Sequence, residues 1–322
     1  MELNLSNLSG QSASNSRQCK VLILGSGPAG LAAALYAARA ELEPVVLTGM
    51  VMGGQAALTH TIENYPGFPE GVGGSQLGEL FQKQAERFGA QVEFDSAVSV
   101  DLSQRPFHIK TDSGEYLSQT LIVATGASPN LLNIPGEKEL TGRGVSYCAT
   151  CDGWFFKNKK VVVVGGGDSA LEEALFLTRY ATSVTIIHRR QELRAGAILQ
   201  KRAEENPQVN FIWNTVVTEV VGEKKVESIR LKNVQSGEET TIQTDGVFIF
   251  IGHTPNTQIF KSQLEMNDLG YIGVDHLMQT SVAGVFAAGE VADPHFRQVV
   301  TSAGMGAAAA IQASRFLADQ GG

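Results

Sequence analysis

Apolar residues along the chain gather into short, β-branched-rich runs, and each run ends in a glycine-bearing turn. The first spans residues 20–24 and leads into Gly25-Ser26-Gly27-Pro28-Ala29-Gly30, after which an alanine-rich stretch, 31–40, carries no helix breaker. That order predicts strand, tight turn and helix. A further β-rich run at 44–48 completes a βαβ unit. The same grammar returns at 160–164, then Gly165-Gly166-Gly167-Asp168-Ser169-Ala170, then 171–180 and 183–187. In both copies 23 positions separate the first glycine from the close of the second strand (25 to 48 and 165 to 188). The chain therefore holds two openings of the kind that bind nucleotides.

Three more apolar runs also stop at a turn residue: 120–124 before Thr125-Gly126, 247–251 before Gly252, and 285–288 before Gly289. Such runs suit the buried parallel strands of an open α/β sheet, whose ligands lie at the strands' carboxyl ends. The fold class expected is α/β, with two Rossmann-like domains. A last helix is expected at about 298–317, where Ala and Gly permit close packing against a strand or a flat ligand.

At 322 residues there is length for roughly two domains with real cores. Acids exceed bases, 33 to 25, for a formal charge of −8, which disfavours a nucleic-acid or anionic-membrane surface. Small molecules or proteins are the expected partners. No apolar stretch reaches the about 18 residues that a membrane span needs. Residues 1–18 lack an apolar core segment and an Arg cluster, so they read as a flexible extension and not as a signal or transit peptide. Three cysteines, two of them close together, make a poor structural disulfide framework and suit a cytoplasmic protein with one active pair.

In the first fingerprint Gly25 permits the turn, Gly27 admits a pyrophosphate to the backbone, and Gly30 brings helix against strand at the helix's positive end. Its second strand ends at Thr48, without the acid that usually takes the ribose hydroxyls. The second fingerprint, Gly165-x-Gly167-x-x-Ala170, leads to a strand that ends in His188-Arg189-Arg190, with Arg194 following. Guanidinium groups there suit a ribose 2′-phosphate and point to NADPH over NADH; a solvated basic turn is the plainer alternative. Asp168, beside a pyrophosphate, repels it unless it caps the helix.

Cys148-Ala149-Thr150-Cys151 is a C-x-x-C near a βαβ pattern, a redox signature, and Asp152 beside it is placed to carry a proton. Half of a zinc site is the rival, but Cys19 and the six His form no second spaced pair, so no metal is expected. Cys19 itself reads as an inert thiol. No serine elbow, metalloprotease motif or P-loop is present. The chemistry expected is redox, with a flavin between nicotinamide and disulfide.

Taken together these residues resemble the low-molecular-weight thioredoxin reductases, from about Cys19 onward. Cys148 to Gly153 resembles the family's active-site string, and His188-Arg189-Arg190 with Arg194 its 2′-phosphate motif. Gly53-Gly54-Gln55 and Glu63-Asn64-Tyr65-Pro66-Gly67 look like its flavin-facing loops, Ala124-Thr125-Gly126 its crossover, and residues 251–256 its return crossing. Gly289-Glu290 and Arg297-Gln298 look like its ribityl and isoalloxazine segment, although Glu290 stands where the family usually has Asp. The resemblance implies an FAD domain of 19–125 plus 248–322, with an NADPH domain, 126–247, inserted into it. It implies FAD contacts at Gly25, Gly27, Pro28, Ala29, Gly30, Gly54, Gln55, Asn64, Ala124, Thr125, Gly126, Gly289, Glu290, Arg297 and Gln298. NADPH contacts would be Gly165, Gly167, Asp168, Ser169, Ala170, His188, Arg189, Arg190 and Arg194.

It further implies a homodimer whose inserted domain rotates between two states, with Cys148 attacking a thioredoxin-like protein disulfide, Cys151 beside the flavin and Asp152 as proton donor. A helix starting near Gln298 would aim its positive end at the flavin. Two other readings stay open. One keeps the fold but takes electrons from a ferredoxin-type donor, or holds another dinucleotide in the second site. The other is a redox-sensing flavoprotein with little turnover.

Overall fold

The computed structural model describes residues 16–59 and 61–320, so the proposed extension lies outside the described residues up to position 15. Arg17 and Gln18 already belong to the first strand, where they pair with Tyr116 and Leu117. The chain forms two compact units. Unit 1 holds the chain up to Ala57, Ser75–Gly126 and the chain from Pro255 onward; unit 2 holds Leu58–Gly74 and Ala127–Thr254. The division between the units falls at 254/255, within the 251–256 expected for the return crossing and a few residues past the expected domain edge at 247/248. The reason is that Gly246–Phe250 is hydrogen-bonded on both sides within unit 2, and a strand so paired cannot be shared with another sheet.

In unit 1 the strands run in the order Gln91–Glu93, Val45–Leu47, Arg17–Leu24, Glu115–Val123, Phe107–Thr111, Ala97–Asp101. Glu115–Val123 is long enough for two partners on one edge. Its first half pairs antiparallel with Phe107–Thr111 and its second half parallel with Val285–Ala287. Alternation along Arg17–Leu24 divides the core. Val21 and Ile23 face a helical layer of Ala33, Ala34 and Ala37 with Ala309, Ala310 and Ala313. Leu22 and Leu24 face Val100, Phe107, Ile109 and Phe260 on the other side.

The last helix, Val299–Gln320, packs on the helix Pro28–Arg39 as well as on the sheet. A Cβ on Gly306 would stand 2.0 Å from the carbonyl oxygen of Ala29, so the small residues expected to admit a strand or flat ligand also admit a helix.

Unit 2 repeats the plan with different layers. Five parallel strands run in the order Val209–Ile212, Ser183–Ile187, Lys160–Gly165, Gly246–Phe250, Val145–Ser146. The four valines 161–164 are buried on both faces, as a central parallel strand requires. Val161 and Val163 meet Ala170, Leu171, Ala174 and Leu177 of the helix Asp168–Leu177. Val162 and Val164 meet Val217, Val220, Ile229 and Leu231 of an antiparallel three-stranded sheet, so the third layer is β and not helical. No helix among the described residues is long and apolar enough to cross a membrane.

Candidate active site

The fingerprint of unit 1 sits at the carboxyl end of Arg17–Leu24, where the helix Pro28–Arg39 begins. Gly25 has φ +111°, and a Cβ on it would meet the Ala124 carbonyl oxygen at 2.2 Å. A Cβ on Gly30 would meet the Gly25 carbonyl oxygen at 1.8 Å. Gly27, by contrast, faces open space, with nothing within 4 Å of a Cβ, so a phosphate can reach its backbone. No side chain caps the helix behind it, which leaves the first-turn N–H groups for an anion. The residues therefore fit a dinucleotide.

Three further segments come to this turn. Gly54 lies against Gly27, with 3.0 Å from its would-be Cβ to the Gly27 Cα, and Gly289 lies against the Ala29 side chain. Ala124, Thr125 and Gly126 continue past the crowded edge of Gly25; Thr125 donates its hydroxyl to the Asn256 carbonyl, and the Asn256 amide donates back to the Thr125 carbonyl. Ser26, which sequence reasoning passed over, is buried with its hydroxyl 3.0 Å from the Thr48 carbonyl oxygen and 3.2 Å from that of Val51. It ties the turn to the end of the second strand.

Gln55 is exposed in the short turn Gly54–Leu58. Asn64 lies in the segment Leu58–Gly74, which belongs to unit 2 and not to the unit that carries the first fingerprint. Glu290 is partly buried, and burial pushes its carboxyl up while Arg297 pulls it down. Arg297 and Gln298 stand just before the last helix. Their turn is held by buried Asp293, which accepts from the backbone N–H groups of His295, Phe296 and Arg297.

In unit 2 the second fingerprint follows the same rule: Gly165 is crowded by the Phe250 carbonyl and the Ala170 Cβ, while Gly167 faces open space. Ser169 and Ala170 open the helix Asp168–Leu177, whose N-terminus no side chain caps. Asp168 does not cap its own helix. Its Oδ1 accepts from the Gly196 N–H at 2.7 Å, and Gly196 caps the next helix, Ala197–Glu204. The Arg194 and Ala195 N–H groups donate to the Gly166 carbonyl at 2.7 and 3.2 Å. The segment between strand and helix is thereby latched to the fingerprint, with Arg189, Arg190 and Arg194 exposed on it. His188 is buried, and burial pushes its imidazole below the ordinary value, with Arg194 and Arg189 adding to the effect. It lies beneath the loop and does not share the arginines' exposed position.

Cys148 and Cys151 form a disulfide in unit 2, at the helical turn Ala149–Asp152. Two small residues seat that turn. Ala149 is buried in the core of the parallel sheet, and a Cβ on Gly153 would press on Leu177 and Tyr180 at 3.3 Å. The Asp152 carboxylate accepts from the Ser146 hydroxyl at 2.6 Å, and burial pushes its carboxyl above the usual range. Burial of this carboxyl favours its protonated form relative to that of an exposed one. Ser146 is a second residue that the motifs do not reveal.

The pyridine nucleotide-disulphide oxidoreductase family model matches residues 19–306. A thioredoxin reductase of Peptoclostridium litorale is 49% identical over 304 residues, which is 92% of this chain and 96% of that protein. One of Rickettsia felis is 50% identical over 303 residues, 92% of this chain and 98% of that one. The crystal structure of the thioredoxin reductase from Streptococcus pyogenes superposes with a TM-score of 0.90 at 41% identity, covering 94% of this chain and 99% of that one. With these matches beside two dinucleotide turns and a closed C-x-x-C disulfide, the chain belongs to the pyridine nucleotide-disulphide oxidoreductases, among the thioredoxin reductases.

Proposed function

We propose that this enzyme reduces the disulfide of a thioredoxin-like protein through Cys148 and Cys151, with electrons from NADPH by way of FAD. One observation supports the assignment of residues: the Cys148–Cys151 disulfide and the neighbouring Asp152 lie in the unit whose fingerprint loop is hydrogen-bonded to the segment that carries three exposed arginines. When bound, NADPH would supply a hydride and FAD a two-electron carrier between nicotinamide and disulfide. The unit 1 turn, with Gly25, Gly27, Gly30, Gly54 and Gly289, would hold FAD. Gly165 to Ala170 would hold the NADPH pyrophosphate, and Arg189, Arg190 and Arg194 its 2′-phosphate.

The thiol chemistry balances as two electrons and two protons. The pair, once reduced, attacks the substrate disulfide with the Cys148 thiolate, and one substrate sulfur leaves as a thiolate that takes a proton. The Cys151 thiolate then attacks the Cys148 sulfur, the second substrate sulfur leaves and is protonated, and the Cys148–Cys151 disulfide returns. Asp152 supplies or takes a proton at this dithiol. The name shared by the relatives favours this circuit over a different electron donor or a low-turnover sensor.

Anaerobic titration tests the reading. About two equivalents of NADPH per flavin, one for the disulfide and one for the flavin, should bleach the yellow absorbance, and adding oxidised thioredoxin should restore it. A flavin that keeps its colour under NADPH overturns the donor assignment. We also infer a homodimer working in the cytoplasm, on the strength of the family resemblance; a single-chain mass by light scattering would remove the first inference.

A further inference from the structure

We propose that Ser146 is a positioning residue for the dithiol step, a hydroxyl rotor that couples the protonation of Asp152 to the backbone carrying Cys148. This rests on the reading of Asp152 as the group that holds the proton. Ser146 ends the buried strand Val145–Ser146, pinned beside Phe248, and is itself buried. Its oxygen lies 2.6 Å from Asp152 Oδ2, 3.1 Å from the Cys148 backbone nitrogen and 3.2 Å from the Cys148 carbonyl oxygen. A hydroxyl has one proton to give and two lone pairs to receive, so it cannot donate to both acceptors at once.

With Asp152 ionised, the hydroxyl donates to the carboxylate in a charge-assisted bond and accepts from the Cys148 N–H. With Asp152 protonated, the carboxyl O–H donates to Ser146, whose own proton turns to the Cys148 carbonyl. Both arrangements use the same heavy-atom positions, and neither leaves a buried polar group without a partner. The proton state of Asp152 is thus written into the hydrogen bonding of the residue that carries the attacking sulfur.

The turn Ala149–Asp152 packs against the helix Asp168–Leu177, which carries Asp168, Glu172 and Glu173, and against Gly153–Phe156, which carries no titratable group. Burial, which raises the Asp152 carboxyl, and the Ser146 hydroxyl, which lowers it, are the two influences on its titration. In the dithiol form, Cys148 and Cys151 are the other titrating groups on the same turn.

The test is an infrared pH titration of the FAD-loaded protein, in which subtraction of D152N isolates the Asp152 carboxyl stretch. Loss of a hydrogen bond to a charged group should raise the Asp152 midpoint in S146A by about one pH unit, and S146T should restore it. A midpoint that S146A leaves in place overturns the proposal. Should S146A fail to fold, S146G is titrated in its stead, with the same two outcomes. Kinetics separate this from the underlying reading. The alkaline fall in dithiol formation should move up in S146A and vanish in D152N. If D152N keeps that limb, Asp152 is not the proton-holding group, whatever Ser146 does to its midpoint.

Discussion

The His188 imidazole occupies the space that a side chain on Gly166 would need: a Cβ there would lie 2.3 Å from both ring Cε1 and Nδ1. The ring is buried and rigid, so it cannot give way as the tip of a flexible side chain does. Gly166 is a free position in the fingerprint pattern, and its identity is set by a strand end 22 positions along the chain (188 minus 166). Replacing Gly166 with Ala should therefore overpack the loop by about 1–3 kcal/mol and lower the melting temperature by several degrees. KM for NADPH should rise with it. The double variant G166A/H188A should recover part of the melting temperature, and equal melting of G166A and wild type counts against this packing.

The link between Asp168 and Gly196 decides between two opposite effects of a carboxylate at a phosphate site. Repulsion of the pyrophosphate predicts that D168A tightens NADPH. A latch that holds the arginine-bearing segment predicts that D168A weakens it, and the 2.7 Å bond to the Gly196 N–H favours the latch. The expected outcome is a KM for NADPH raised about tenfold with kcat retained, because the site loses order and not chemistry. R189A/R190A sets the scale for losing the 2′-phosphate contacts: NADPH should weaken far more than NADH, and equal weakening of the two would remove that role from these arginines.

The thiols divide the electron path into two halves that one substitution can separate. C148S should leave NADPH reduction of the bound flavin intact, since the half of the path before the disulfide needs neither sulfur. It should reduce turnover with thioredoxin to background. Residual thioredoxin turnover in C148S would mean that Cys151 is the exposed nucleophile and that the two roles are reversed.

Tyr147, next to Cys148, is expected to make the fold less stable at alkaline pH. Burial pushes its hydroxyl up to about 12, and the Glu137 carboxylate, which accepts from it at 3.1 Å, adds to the rise. A group whose pKa is raised by folding stabilises the native state below its unfolded value, about 10, and loses that contribution as pH climbs through the folded value. Urea unfolding at about pH 9 and about pH 11.5 should show a larger loss in wild type than in Y147F. At the lower pH, Y147F should be about 1 kcal/mol less stable, from the missing hydrogen bond. An equal loss in both proteins would place the alkaline sensitivity elsewhere.

What could be read from the chain alone was whatever depends on near neighbours. A glycine at the end of an apolar run, alanines filling the next helix, two cysteines three positions apart and arginines closing a strand are local patterns. Backbone sterics and side-chain periodicity act over a few residues, so Gly25, Gly27, Gly30, Gly165, Gly167, Ala170, Cys148, Cys151 and the arginines were all identifiable before any fold was known. Packing decided the rest. Gly196 meets Asp168 across 28 positions and Asn256 meets Thr125 across 131, and no spacing rule selects such pairs. Leu58–Gly74 joins unit 2 because contacts, not sequence order, define a compact body. Ser146 reads as an ordinary polar residue until the turn at Cys148 folds back and sets its single hydroxyl between a carboxylate and a backbone N–H, where burial makes every hydrogen bond matter.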